Sequence, residues 1–372
     1  MYDSPPAEHP LAEYLDRRPL VVLWTYDPDA ASARHRLRPV LRALGHRWEV
    51  KVDRLPKGRY YRRVLERRRD LERASLLILG KTSLGLGEAR LARAFSRRIL
   101  FDVDDAIYLR RQRSAAEVPG QGAVRMLKFR QTCSAADRVV VGNETLAEAT
   151  RRNASAVRVL PTSVMIPSWR ALSSTDRRPR TLVWIGRPEN LVYLEPLRPL
   201  LAELCRTMPD LVLRVVSSEF PDWPDVRLEK IPWSTATEVQ SLSSAGIGIM
   251  PLSDDDWTRG KCGFKLLQYM SVGLPTIASP VGANQTIVDD RVTGYLAEDL
   301  NGWAAALRRL LDHPGHAAML GEAGRVRAET HYGRIRYVSQ YLGVIGDLLL
   351  DHQPVQPSRW PAVRTWAHAG RG

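Results

Sequence analysis

The stretch Arg259–Leu296, RGKCGFKLLQYMSVGLPTIASPVGANQTIVDDRVTGYL, decides how the second half of the chain is read. Phe264, Leu267 and Met270 recur at helical spacing, so one face of Gly263–Val272 belongs to a core. Gly273 and Pro275 stop that helix, and Thr276–Ser279 then has the composition of a short buried strand. A glycine-rich approach to a helix leaves backbone N–H groups beside the positive end of the helix dipole, which suits a phosphate. Gly260, Lys261 and Gly263 occupy that approach, and Lys265 lies in the first turn. A cation at a helix N-terminus opposes the dipole, and an anionic ligand is a reason for it to be there. Gln268 follows Lys265 by three positions, so both can face one ligand. The stretch predicts a nucleoside-diphosphate site.

Outward from it, the chain alternates apolar strand runs with helices. In the first half, strands are expected at Leu20–Tyr26, Trp48–Asp53, Leu76–Leu79, Ile99–Val103, Arg138–Val141 and Val157–Leu160. In the second half they are expected at Leu182–Ile185, Leu211–Val216, Val226–Ile231, Ile247–Met250 and Thr276–Ala278. Such alternation indicates parallel sheets covered on both faces. The expected class is α/β, with two Rossmann-like, doubly wound domains facing across a cleft. The first, basic, domain spans 1–167. A polar Ser- and Arg-rich linker follows at 168–180, and the second domain occupies 181–335. A C-terminal helix at 336–350 and a poorly ordered tail at 351–372 complete the expected order. Ligands of such sheets bind beyond the carboxyl ends of strands, where the Arg259–Leu296 stretch begins.

The formal net charge of +14 is one-sided. Residues 1–170 hold 33 Lys+Arg against 19 Asp+Glu, and residues 171–372 hold 22 of each. A field of one sign on one half fits an anionic partner, such as an acidic membrane surface, and equally fits mere solubilising charge. The basic run Tyr60–Arg73 is the candidate surface contact. Nucleic acid is disfavoured because no recognised nucleic-acid module is present. Three cysteines, Cys133, Cys205 and Cys262, give neither a disulfide framework nor a zinc pattern. With a polar N-terminus and no apolar run near ~20 residues, the expectation is a cytoplasmic chain, peripheral at most at the inner face of a membrane.

Asp102, Asp104 and Asp105 end the fourth strand at the cleft edge, where carboxylates bind acceptor hydroxyls, act as a base, or simply cap the next segment. Arg34, His35 and Arg36 follow the first strand and could touch a donor or acceptor phosphate, but read best as a solvated basic helix start. Asp254–Trp257 reads as a solvated loop with a chance of gating the site.

Several phrases in the second half then carry a family resemblance: WIGRP at Trp184–Pro188, IMPL at Ile249–Leu252, KCGFKLLQYMSVGLPTIAS at Lys261–Ser279, PVGANQTIVDD at Pro280–Asp290 and TGYL at Thr293–Leu296. In order and spacing, Arg180–Tyr341 resembles the donor domain of a GT-B glycosyltransferase of the retaining family 4 (glycosyl transferases group 1) type. FDVDDAIY at Phe101–Tyr108 and VLPTSV at Val159–Val164 extend the resemblance loosely into the first half.

The resemblance implies transfer of a sugar from a nucleotide-diphosphate sugar to a glycan, lipid-linked or small-molecule acceptor. It further implies retention at the anomeric carbon, with the donor in the second domain and the acceptor bound by the first, and with no metal and no cofactor beyond the donor. Arg187 occupies the position of the family's diphosphate-contacting arginine. Lys261 and Lys265 join it in stabilising the leaving group, and Asp104 and Asp105 fall on the acceptor side. Donor contacts are implied for Gly186, Gly260, Gly263, Phe264, Leu266, Gln268, Gly282 and Asn284. The family's two glutamates, eight apart, correspond to Gly260 and Gln268, and another acidic position corresponds to Thr286. These departures mark a divergent branch, and also fit a catalytically weak nucleotide-sugar binder or scaffold.

Overall fold

The computed structural model describes residues 18–55, 60–109, 121–167 and 178–350. The tail at 351–372 and most of the expected linker lie outside the described residues. The first sheet is built from β1 (Leu20–Thr25), β2 (Glu49–Arg54), β3 (Leu76–Gly80), β4 (Ile99–Val103), β5 (Arg138–Val141) and β6 (Val157–Val159), in spatial order 2-1-3-4-5-6. The second uses β7 (Thr181–Ile185), β8 (Val212–Ser217), β9 (Leu228–Pro232), β10 (Ile247–Met250), β11 (Thr276–Ala278) and β12 (Gly294–Leu296), in order 12-11-10-7-8-9. Every ladder pairing is parallel. The chain has the GT-B architecture. β12 has no counterpart in the expected strands, because its Gly-Tyr-Leu is half-buried and lacks the apolar run that marks the others.

The helices that matter below are α1 (Arg38–Leu44), α2 (Tyr60–Glu66), α3 (Arg68–Arg73), α4 (Leu86–Phe95), α5 (Gln121–Ala135) and α6 (Glu144–Arg151) in the first half. In the second they are α7 (Arg198–Thr207), α8 (Glu238–Ser243), α9 (Asp256–Arg259), α10 (Phe264–Ser271), α11 (Asn284–Ile287), α12 (Leu300–Asp312), α13 (Pro314–Tyr332) and α14 (Arg334–Leu350). Consecutive strand residues face opposite sides, so both faces must be covered. Val22, Trp24, Leu77 and Leu79 enter one core with α4 and α5, while Val21, Leu23, Leu76 and Ile78 enter the other with α1. That second core is closed by Tyr337, Tyr341, Val344, Ile345 and Leu348 of α14. The C-terminal helix therefore returns to the first domain. It crosses back at Gly333, whose bridge to Val164 sets it beside the outward crossing.

The basic run at 60–73 is two helices that break at Arg67. Its charge is less one-sided than its composition suggests. Arg63 and Arg67 reach Asp53 of β2 at 3.2 and 3.1 Å, Arg68 reaches Glu72 at 2.6 Å, and Arg73 pairs with Glu49. No described helix is long and apolar enough to cross a membrane.

Candidate functional site

Both sheets reverse their strand order at one place, between β1 and β3 in the first and between β7 and β10 in the second. At such a switch point neighbouring loops leave in opposite directions and open a crevice. The two crevices face each other and merge into one cleft of about 400 Å³. Asp27–Ser32 follow β1 and Lys81 follows β3; Gly186–Pro188 follow β7 and Leu252 follows β10.

On the second-domain wall, Gly186 is glycine for a steric reason. A Cβ there would stand 2.7 Å from the Trp184 ring and 2.9 Å from Lys265 Nζ. That ammonium lies 4.0 Å over the Trp184 ring, which holds it at the end of β7. Gly263 starts α10 with φ of +61°, a left-handed conformation that costs most residues about 1 kcal/mol or more. Lys261 Nζ is 3.4 Å from Asn190 Oδ1 and lies over the rings of Tyr193 and Trp257 at 5.6 and 5.9 Å. Gln268 donates through Nε2 to Glu238 Oε1 at 2.8 Å, leaving its own amide oxygen as the remaining acceptor. Glu238 Oε2 accepts from the Trp233 indole at 2.9 Å. Arg34 of the first domain lies 5.1 Å over the Trp233 ring and donates to Thr235 Oγ1 at 3.2 Å.

On the first-domain wall, the three aspartates of FDVDD have different fates. Asp102 is buried inside the sheet and does not reach the cleft edge, which corrects the expectation. Its carboxylate takes both prongs of the fully buried Arg36 at 2.8 and 2.9 Å, and the Tyr341 hydroxyl of α14 at 3.1 Å. Asp104 and Asp105 do line the cleft, each paired with Lys81, at 3.2 and 3.0 Å. Burial disfavours the Lys81 ammonium, but the two carboxylates outweigh it and hold its pKa above the usual value. Asp105 Oδ1 is buried without a hydrogen-bond partner among the described residues.

The solvated-helix reading of Arg34–Arg36 also fails. The segment is a π-helical turn, Ala33–Leu37, that buries Arg36 and sets His35 against Phe264, ring centroids 4.3 Å apart. Burial, then Arg34 and Arg334, push the His35 pKa down to about 3.

Loop contacts pin the domains together. Asn143, the N-cap of α6, donates to Lys261 O at 2.9 Å, and Cys262 Sγ donates to Asp104 O at 3.1 Å. Gly260 rests on Ala106, whose Cβ would be 2.7 Å from any Cβ added at 260.

The cleft thus brings together Gly186, Arg187, Lys261, Gly263, Phe264, Lys265, Gln268, Asp104 and Asp105. Four other sequence candidates do not line it. Leu266 is fully buried in the core, Asn284 is buried and donates to Ser279 O, Gly282 abuts the Arg259 backbone, and Gly260 is covered by Ala106. Arg34, weighed as a phosphate contact and set aside, also lines it, as do Lys81, Trp233 and Glu238, which were not singled out. Lys81 follows its strand directly and Trp233 directly follows β9, so strand-end position was the available signal for both. The Asp254–Trp257 loop is fastened by a bidentate Arg259–Asp254 pair and by Asp255, which caps α9. Among the described residues no group of three or more His, Cys, Asp or Glu could hold a metal ion.

Fold and cleft define the class: a two-domain GT-B protein with a cleft at its paired switch points, whose second-domain wall carries Arg187, Lys261 and Lys265. Residues 180–313 match a family model described as glycosyl transferases group 1. Over 130 residues the chain is 34% identical to D-inositol 3-phosphate glycosyltransferase of Salinispora tropica, a match covering 34% of this chain and 26% of that relative. The chain therefore spans about a quarter of that curated relative's length.

Solved structures match over much more of the chain. Sucrose-phosphate synthase from Thermosynechococcus elongatus superposes with a TM-score of 0.68 at 17% identity, covering 89% of this chain and 99% of that one. HepE of Anabaena, in complex with UDP-glucose, gives 0.66 at 11% identity, covering 88% and 100%. The pneumococcal O-GlcNAc transferase GtfA, with UDP and GlcNAc, gives 0.59 at 16%, covering 78% and 60%. At these identities the likeness establishes the fold.

Proposed function

We propose that the protein is a glycosyltransferase that takes a sugar from a UDP-sugar and passes it, with retention, to a saccharide-bearing acceptor. The observation that carries this reading is the cleft itself, where Arg187, Lys261 and Lys265 converge on the N-terminus of α10 at the second sheet's switch point. Cleaving a sugar–diphosphate bond builds negative charge on the leaving group, and prepositioned cations and N–H groups stabilise that charge most where it develops. UDP is the favoured nucleotide because HepE and GtfA, which share the fold, are described with it. The Gln268 amide oxygen, anchored through Glu238, is placed one helical turn from Lys265 to accept from ribose hydroxyls. Asp104 and Asp105, which line the first-domain wall of the cleft beside Lys81, are the carboxylates we assign to an acceptor hydroxyl.

Thermal shift with UDP, GDP, ADP and CDP tests the donor; a ligand at ~100 Kd stabilises by about 2.7 kcal/mol. UDP is expected to stabilise most, and no response to any diphosphate would overturn the reading. Binding without hydrolysis or transfer of UDP-sugars would return the chain to a nucleotide-sugar binder.

The basic first half supports a cytoplasmic protein that visits an anionic membrane face. Flotation with anionic but not neutral liposomes is the expected result, and absence from both would remove the membrane from the account.

A further inference from the structure

The π-helical turn Ala33–Leu37 sends three consecutive side chains to three different places. Arg36 is buried in the first domain and grips Asp102 with both prongs, which fixes the turn to the first sheet. His35 packs on Phe264, the first residue of α10. Arg34 crosses to the second domain, where its guanidinium lies 5.1 Å over the Trp233 ring and donates to Thr235 Oγ1 at 3.2 Å. Turns of this kind are rare and recur at functional sites.

The crossing does not end at Trp233. The indole N–H donates to Glu238 Oε2 at 2.9 Å, and Glu238 Oε1 accepts from Gln268 Nε2 at 2.8 Å. Arg34, Trp233, Glu238 and Gln268 all line the cleft, so they form one stacked and hydrogen-bonded series along its wall. Each link has an imposed direction. A carboxylate only accepts, so it takes the Gln268 amide nitrogen, and the amide oxygen is what Gln268 has left to offer. An indole only donates, so it holds the other carboxylate oxygen in place. Trp233 is 40% exposed, and the guanidinium on its face restrains it. Gln268 is thus oriented by a residue of the opposite domain.

We propose that Arg34 is a positioning residue for the donor, which through Trp233 and Glu238 keeps the Gln268 oxygen available to the ribose hydroxyls. The inference rests on the donor reading of the cleft and adds a dependence to it: the ribose is gripped well only when the domains are closed. Opening the cleft parts Arg34 from Trp233 and releases the indole. The Gln268 amide can then turn and present its NH2 group as readily as its oxygen. Such coupling is reciprocal, so ribose binding holds the cleft shut by the same factor. The diphosphate stands outside the series, because Arg187, Lys261 and Lys265 are all carried by the second domain.

Calorimetric titration of the full chain with UDP, and with the UDP analogue whose ribose lacks both hydroxyls, tests this. The parent is expected to bind UDP about fivefold or more tighter than the analogue. Arg34→Ala should weaken UDP by about three- to tenfold and leave the analogue within about twofold of the parent. Trp233→Phe keeps a ring under the guanidinium and removes only the indole N–H, and the same selective loss is expected. It lies at an exposed position, so it decides the matter if Arg34→Ala fails to fold. Arg34→Lys, which keeps a cation on the ring, should fall closer to the parent than Arg34→Ala. The proposal is overturned if the variants bind UDP as the parent does, or if they lose UDP and the analogue equally. It is also overturned if the parent itself does not distinguish the two nucleotides, a result that leaves the donor reading standing. A parent that binds neither would topple the donor reading, and this inference with it.

Discussion

Arg187 lies two residues past β7, at the point where the second sheet reverses direction, and it is exposed and lines the cleft. Its planar fork fits a diphosphate better than any single ammonium. Replacing it by alanine should lower turnover by about 10²-fold or more, as loss of one charge-stabilising donor does; unchanged steady-state kinetics would remove it from the site. His35 makes a different prediction. Folded, it titrates near 3; unfolded, near 6.5. Between those values the unfolded chain binds the extra proton, so stability is full above pH ~6.5 and falls as pH drops toward ~3, by up to about 1.4 kcal/mol per pH unit. His35→Gln should flatten the acid side of a plot of urea midpoint against pH, and superimposable plots would show that the ring is not held neutral. Residue fates were the least legible part of the sequence. Three aspartates in five residues look equivalent, yet Asp102 is claimed by Arg36 and Tyr341, which lie 66 and 239 positions away. No local pattern carries that information.

At the scale of elements, the helix α10 was readable because its signals are local: apolar spacing inside, glycines before, Gly273 and Pro275 after. The same holds for β7, β8 and β10 of the second sheet, whose apolar runs announce burial on both faces. What the run Arg259–Gly263 does was not readable, since it depends on the facing domain. Gly260 appears in sequence as a lost carboxylate, and in the structure as a contact point where Ala106 of the other domain leaves no room. A side chain at 260 must push the loop after β4 away, together with the Cys262–Asp104 and Asn143–Lys261 bonds that close the domains. Gly260→Glu should therefore open the cleft. The expected result is a larger radius of gyration in small-angle scattering without UDP and a lower melting temperature. A variant as compact and stable as the parent would mean that the loops yield at little cost, and that the missing glutamate needs another reason.

The whole molecule depends on a helix that leaves the domain it follows. Sequence order assigns α14 to the second domain or to a separate appendage, because helical periodicity specifies an apolar face but not the surface that it covers. In the structure, Tyr337, Tyr341, Val344, Ile345 and Leu348 complete the first domain's core, and Tyr341 reaches the buried Arg36–Asp102 pair. Burying each large apolar side chain contributes about 1.5–3 kcal/mol. Five of them rival the ~5–15 kcal/mol by which a whole domain is stable. Ending the chain at Gly333 would also remove the Tyr341 hydroxyl that donates to the buried Asp102 carboxylate. The truncated protein should lose the first domain's cooperative unfolding while the second domain, which keeps α13, still melts as a unit. Calorimetry should show one transition instead of two or of a single larger one, with increased binding of a hydrophobic dye at the exposed face. Retention of the parent's full unfolding enthalpy would show that the first domain folds without α14. In that case the helix would be a tether between the domains and no part of the first domain's core.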